Sequence, residues 1–396
     1  MSAMEHIYNL AVNIGPRGST TEAEADAARY AAHVLSELGI TPSTETFSSA
    51  RSSYYPFALW SGLVLLGAIL FGVAGRIGAI LALLLSLVAL ISVMLELSLR
   101  PNPLRSLLPK GGSQNTWGRL EPAGEVRQQV VLIGHLDSHR TPLVFASQGW
   151  LRLFRALIPI GLLASILLII LYAVIGIGII DQTPLANWLA LPFILALLGL
   201  FLLMIQADLT PYSAGANDNA SGAGIILDLA ERLKQKPLQH TAVWTLFSGC
   251  EEVGCYGAEA FAQAHRSALG KAPIWLTVDN VGGKGAGIAY LTGETFLLTA
   301  KSDPALLKLA DRIAKRWPDL RAFRHQFKSA YTEGSIGVKH GFRALTLLAM
   351  RRDGTIPDWH QSSDTADKVD PDTVERAEVF IWQLLQGIDT GIGGKG

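Results

Sequence analysis

Two kinds of apolar pattern alternate along the 396-residue chain. One is continuous. Phe57 to Gly75 and Ile77 to Leu95 are split only by Arg76, while Ala156 to Ile180 and Trp188 to Ile205 are split by the short polar stretch DQTPLAN. A helix crossing a bilayer needs about 20 apolar residues, so each pair reads as a helical hairpin of two membrane spans. The spans carry no ionisable residue in their central parts, which fits anchors or walls and argues against an ion or proton pathway.

The other pattern is periodic. STTEAEADAARYAAHVLSELGI has apolar positions at helical spacing, a Ser19/Thr20 cap signal and Gly39 as a stop. After the first hairpin, QQVVLIGHLDS reads as a short buried strand. After the second, SGAGIILDLAERLKQ reads as an amphipathic helix, HTAVWTLFSG as a strand, GAEAFAQAHRSAL as a helix and APIWLTVDNVGG as a strand. A helix near DPALLKLADRIAKRW, the strand FRALTLLAM and the helix TVERAEVFIWQLLQGI complete the chain. Apolar strands alternating with amphipathic helices predict an α/β fold: a mixed, mostly parallel sheet sandwiched by helices, with four transmembrane α-helices inserted.

Composition sharpens this picture. Hydrophobic residues make up 49% and charged residues 17%, with a mean hydropathy of +0.31, too apolar for an ordinary soluble enzyme of this length. The 33 basic and 33 acidic residues balance, against the basic excess of a nucleic-acid binder. MSAMEHIYNL lacks the basic start and apolar core of a signal peptide. Arg51, Arg100, Arg105, Lys110, Arg152 and Arg155 flank the non-hairpin ends of the spans, whereas the tips hold Arg76 and Asp181, so the positive-inside rule predicts a multi-pass protein with its polar parts in the cytoplasm. Cys250 and Cys255 form no CxxC pair; five residues apart they could bridge, but in a reducing compartment they read as small buried thiols.

Ligands of open α/β sheets collect at the carboxyl ends of the strands, and the conspicuous polar residues lie there. His135 and Asp137 follow the first strand, the adjacent Glu251 and Glu252 the second, and Asp279 the third. GANDNASGAG adds Asp218, and DWHQSSDTADKVD adds His360. Singly, a histidine after a strand is most often a core residue and an acidic pair a solvated face. Together they bring imidazoles and carboxylates from separate strand ends towards one point, which is how a metal site is built.

The motifs GHLDS, GANDNASG, CEEVGCYG, VDNVGG and HQSSDTADKVD, with the early RGSTTEAEADAARYAAHVLSELG, resemble metallopeptidase family 28, the co-catalytic zinc aminopeptidases. The resemblance implies two Zn2+ bridged by Asp218, one also held by His135 and Asp279, the other by Glu252 and His360. It implies Glu251 as general base, Asp137 as the partner that accepts the second imidazole proton of His135, and a cis peptide after Asp218. Peptides would be the substrate. Residues 1–52, 100–152 and 208–396 would form the peptidase domain, and 53–99 and 153–207 the transmembrane hairpins. SAYTEGSIGVKHGFRAL carries Thr332-Glu333 where the family has Ser-Asp, and Tyr331 or His325 is a candidate to steady the oxyanion. His139, Arg140 and the residues flanking His360 read as local structure or pocket rim. A one-zinc glutaminyl-cyclase-like acyltransferase and a non-catalytic binding module remain alternatives on the same fold.

Overall fold

The computed structural model describes residues 1–328 and 330–391. In chain order, its main elements are α1 (Ala3–Tyr8), α2 (Glu22–Glu37), β1 (Pro42–Ala50), α3 (Tyr55–Val73), α4 (Gly75–Leu97), β2 (Lys110–Leu120), β3 (Gln128–His135), α5 (Gln148–Gly176), α6 (Pro184–Asp208), α7 (Ser221–Gln235) and β4 (Thr241–Ser248). They continue with α8 (Tyr256–Ala264), α9 (Arg266–Leu269), β5 (Ile274–Asp279), β6 (Gly287–Thr295), β7 (Thr299–Lys301), α10 (Pro304–Arg316), β8 (Phe323–Lys328), α11 (Glu333–Lys339), β9 (Arg343–Met350) and α12 (Pro371–Asp389). They form two compact units. One comprises Met1–Arg51, Lys110–Arg140 and the chain from Tyr212 on; the other is Ser52–Pro109 with Thr141–Pro211.

The first unit is α/β. Its nine strands among the described residues form one mixed sheet, ordered β1-β2-β4-β3-β5-β9-β6-β7, with β8 on β6. The centre is parallel, β3 lying between β4 and β5 and β5 pairing with β9, while β1, β2, β6 and β7 join antiparallel. The run VVLI in β3 is continuously apolar because both faces are covered. Val130 and Leu132 enter a core with α7, α10 and α12, and Val131 and Ile133 enter another with Phe261 of α8 and Trp275. Burying each such side chain contributes about 1.5–3 kcal/mol. Helix α7 starts close against β5: a Cβ at Gly222 would lie 2.2 Å from the Val278 carbonyl oxygen and 2.4 Å from Asn219 Oδ1.

Two expectations shift. The cap of α2 is Thr21, whose side chain accepts from the Glu24 N–H, and not Ser19 or Thr20. The strands β1, β2, β6, β7 and β8 were not expected. PSTETFSSA and KGGSQNTWGRL pair along β1 and β2 with polar, half-exposed faces, so neither shows a continuous apolar run.

The second unit is helical, and its four helices among the described residues are long and apolar enough to cross a membrane. Helix α3 packs on α4 and α6, and α5 on the same two. Small residues allow this: a Cβ at Gly67 would lie 3.1 Å from Ala82 Cα. Two polar contacts join helices here, Trp60 Nε1–H donating to Ser165 Oγ at 3.2 Å and Arg76 Nε–H to the Gly176 carbonyl at 2.9 Å.

Candidate metal and catalytic site

The four parallel strands of the first unit deliver the predicted residues to one place. His135 is the last residue of β3 and Asp279 the last of β5, Glu251 and Glu252 turn out of β4, and His360 stands in the loop after β9. Asp218 precedes α7, and its peptide bond to Asn219 is cis. His135 Nε2 lies 3.2 Å from Asp218 Oδ1 and 3.4 Å from Asp279 Oδ1. His360 Nε2 lies 3.2 Å from Asp218 Oδ2 and 3.4 Å from Glu252 Oε2. Asp218 therefore turns one oxygen to each histidine. Donors about 2.0–2.1 Å from a tetrahedral zinc stand about 3.3 Å apart, so these spacings fit such an ion. His135 Nε2, Asp218 Oδ2 and Glu252 Oε1 are buried without hydrogen-bond partners, as metal donors would be.

Charge agrees. Burial alone would lower the His135 pKa, but the carboxylates of Asp137, Asp218, Asp279 and Glu251 outweigh it and raise it well above the ordinary imidazole value. Burial would raise Asp218, yet His135 and His360 hold it far below the carboxylate range. Glu251 and Glu252 are pushed well above theirs by burial, reinforced by each site's other carboxylates against His135. Carboxylates exceed imidazoles here, and divalent cations would offset that excess.

The support beneath the site differs in part from the expected one. The carbonyl oxygen of Asp137, not its carboxylate, fixes the His135 ring: Nδ1 lies 3.0 Å from that oxygen and 3.6 Å from Oδ1. The carboxylate instead accepts from the backbone N–H of Glu251 at 3.0 Å and Glu252 at 3.1 Å, and from Ser19 Oγ–H at 2.6 Å. Glu24, pushed up to about 8 chiefly by burial, accepts from the N–H of Cys250 at 2.8 Å. These two buried carboxylates hold the turn that carries the glutamate pair, between Cys250 at φ 56° and Cys255 at φ 55°. Cys250 and Cys255 are free and buried, and Cys255 Sγ–H donates to Glu251 Oε1 at 3.4 Å.

Asp364 grips the Asp218 turn, accepting from the N–H of Asn217 at 2.6 Å and of Asp218 at 3.0 Å. Arg17 is fully buried, and its guanidinium donates to the carbonyls of Leu10, Gly15, Leu136, Ala214 and Gly215. It thus ties the N-terminal segment to the loops that present His135 and Asp218. Sequence reasoning gave Arg17 no role, and nothing in the stretch RGST reveals which carbonyls the guanidinium would meet.

Other candidates have separate partners. Tyr331 Oη–H donates to the Leu298 carbonyl at 2.6 Å, and the His325 ring on β8 lies edge-on to Phe323 with centroids 6.4 Å apart. Ser329, in the same family-like segment, lies outside the described residues. Glu333 is fully buried, accepts from Ser248 Oγ–H and is pushed up to about 8 by burial. His139, read as local structure, stands beside His360 and Glu252.

Residues 202–385 match the model of Peptidase family M28. That is the family read from the motifs, although the match starts after His135 and Asp137, which join the site through β3. No curated protein matches the chain in sequence. Among solved structures, a leucine aminopeptidase precursor from Bacteroides thetaiotaomicron has a TM-score of 0.58 at 14% identity, covering 97% of this chain and 96% of its own. A glutaminyl cyclase from the same organism, bound to N-acetylhistamine, has a TM-score of 0.59 at 13% identity, covering 97% and 96%. A zinc aminopeptidase from Bacillus subtilis has a TM-score of 0.57 at 13% identity, covering 98% and 94%. At these identities the likeness is one of fold, and the M28 peptidase fold is shared by aminopeptidases and cyclases alike.

Proposed function

We propose that this chain is a membrane-embedded, zinc-dependent exopeptidase, an aminopeptidase that removes N-terminal residues from peptides with two zinc ions sharing Asp218. The observation that carries the reading is the split carboxylate of Asp218, one oxygen 3.2 Å from His135 Nε2 and the other 3.2 Å from His360 Nε2. A carboxylate in that position offsets the repulsion of two cations about 3.5–4 Å apart. His135 and Asp279 would hold one ion, Glu252 and His360 the other.

Bound zinc would polarise the scissile carbonyl and acidify the attacking water. Glu251 takes the proton from that water and returns it to the leaving amine. Burial raises its carboxyl pKa, which suits proton holding, and its backbone N–H donates to Asp137 Oδ1 at 3.0 Å, which fixes the turn that carries it. The solved glutaminyl cyclase structures support a second reading, acyl cyclisation with one zinc. Elemental analysis together with product analysis separates the two: two zincs and free amino acids from short peptides are expected. One zinc with ring closure of N-terminal glutaminyl peptides would replace the aminopeptidase reading by the cyclase.

The helical unit is the anchor. The basic residues flanking the spans favour a cytoplasmic peptidase unit, with the turns at Arg76 and Asp181 outside. Cysteines introduced at those turns should react with an impermeant thiol reagent in intact cells; silent turns would reverse the orientation.

A further inference from the structure

His139 has no part in the metal set read from the motifs, yet its ring lies flat on His360. The ring centroids are 3.5 Å apart and the planes differ by 8°. His139 Nδ1 is 2.6 Å from the Arg140 carbonyl oxygen, which can only accept, so Nδ1 carries the hydrogen. Its backbone is equally fixed: the Ser213 N–H donates to the His139 carbonyl at 2.9 Å, and Arg140 bridges to Tyr212. Trp359 also neighbours His360, with centroids 4.4 Å apart and planes tilted by 37°. The imidazole of His360 thus meets two rings in a loop that supplies little regular structure, and only His139 lies parallel to it.

Distance alone would admit His139 as a further donor, since its ring nitrogen, a Glu252 oxygen and a His360 nitrogen lie within 4.8 Å of one another. Orientation argues otherwise. Ring lone pairs lie in the ring plane, and the planes of His139 and His360 are nearly parallel, so the two pairs run side by side and do not converge on one ion. A metal about 2.0–2.1 Å from His360 in its plane stands well out of the plane of His139.

We propose that His139 is a positioning residue for the metal held by His360 and Glu252: a stacked imidazole that sets the plane of the His360 ring without ligating the ion. This rests on the two-zinc reading above. A partner outside the ligand set that fixes a histidine ring is worth about 10- to 100-fold in metal affinity, and stacking takes that part here.

The experiment compares purified wild type, His139→Phe, His139→Ala and His360→Ala for zinc per chain, zinc affinity by chelator competition, and the visible spectrum after cobalt substitution. Wild type should bind two zincs; none would overturn the parent reading and this one together. His139→Phe keeps a flat ring without nitrogen and should hold both ions within about 3-fold of wild-type affinity. His139→Ala should weaken one ion about 10- to 100-fold and alter the cobalt spectrum of the site that His360→Ala empties. The ion held by His135 should remain in both, which shows that the variants fold. With wild type carrying two zincs, equal loss in His139→Phe and His139→Ala would make His139 a ligand, and unchanged affinity in His139→Ala would deny it any positioning role; either result overturns the proposal alone.

Discussion

The two units of this chain bury opposite things. In the α/β unit, Val130, Leu132, Ile133 and Phe247 are fully inside, and the buried polar groups at the strand ends are held by specific donors and acceptors. In the helical unit, Val73 is 77% exposed, Ile77 69%, Trp188 69% and Leu84 55%, while the buried positions of α4 are largely small ones such as Ala79, Ala82, Ser86 and Ala89. A folded domain in water does not display such an array of large apolar side chains. The difference teaches that one sequence carries two patterns: the first unit buries its large apolar side chains and spends its buried polarity on a site, while the second turns large apolar side chains outward, the pattern that suits lipid.

The sharpest way to test the chemical half of the comparison is the glutamate pair. Glu251→Gln keeps size and should keep zinc, while turnover falls about 100- to 10,000-fold. Glu252→Gln exchanges an anionic donor for a neutral amide, so one zinc should be lost first and activity should partly return with excess zinc. Metal analysis beside kinetics reads both, and identical behaviour of the two variants would undo the division of labour between them.

Next in size are substitutions that ask which solvent each unit faces. Leu84→Arg, in the middle of α4, should cost about 3 kcal/mol of membrane insertion. Leu297→Arg on the α/β unit, where Leu297 is 43% exposed, should change stability by no more than about 0.5 kcal/mol. An insertion assay for the first and thermal unfolding for the second provide the comparison; a tolerated arginine at position 84 would deny α4 its lipid surroundings. Within the α/β unit, Gly222→Ala should cost about 3 kcal/mol, read as a lower unfolding temperature, because its Cβ would press on backbone and on Asn219.

How much of this was legible depended on what each segment shows its neighbours. Strands covered on both faces, such as VVLI and AVWTLF, carry their burial in their composition. Strands β1 and β2 are half-exposed, and their alternation is blurred by buried Ser113, Asn115 and Thr116. The histidines and carboxylates that converge were visible because they follow apolar strands at fixed offsets. Their supports were not: Arg17 meets Leu136 and Gly215 across long sequence separations, and Asp137 serves through its carboxylate the glutamate turn and through its carbonyl the histidine. His139 reads as a neighbour of a motif until the fold brings His360 onto its face.

Further from the site, an expected effect concerns pH, in the N-terminal segment. Burial lowers the His6 pKa to about 4, and its Nδ1 lies 2.7 Å from Tyr30 Oη. A depressed folded-state pKa gives stability that is complete above the unfolded value near 6.5 and is lost as pH falls from there through about 4. His6→Gln, which keeps an acceptor for Tyr30, should therefore remove on the order of 2 kcal/mol of acid sensitivity between those limits. Unfolding temperatures of both proteins across that window read it, and parallel curves would contradict it.

The central claim is that one carboxylate joins two metal sites, and zinc per chain in Asp218→Asn tests it most directly. Wild type should carry two zincs, and Asp218→Asn should lose more zinc than any other single ligand change, because both sites lose a donor and the repulsion between the ions is less offset. A folded Asp218→Asn protein that retains two zincs would contradict the account.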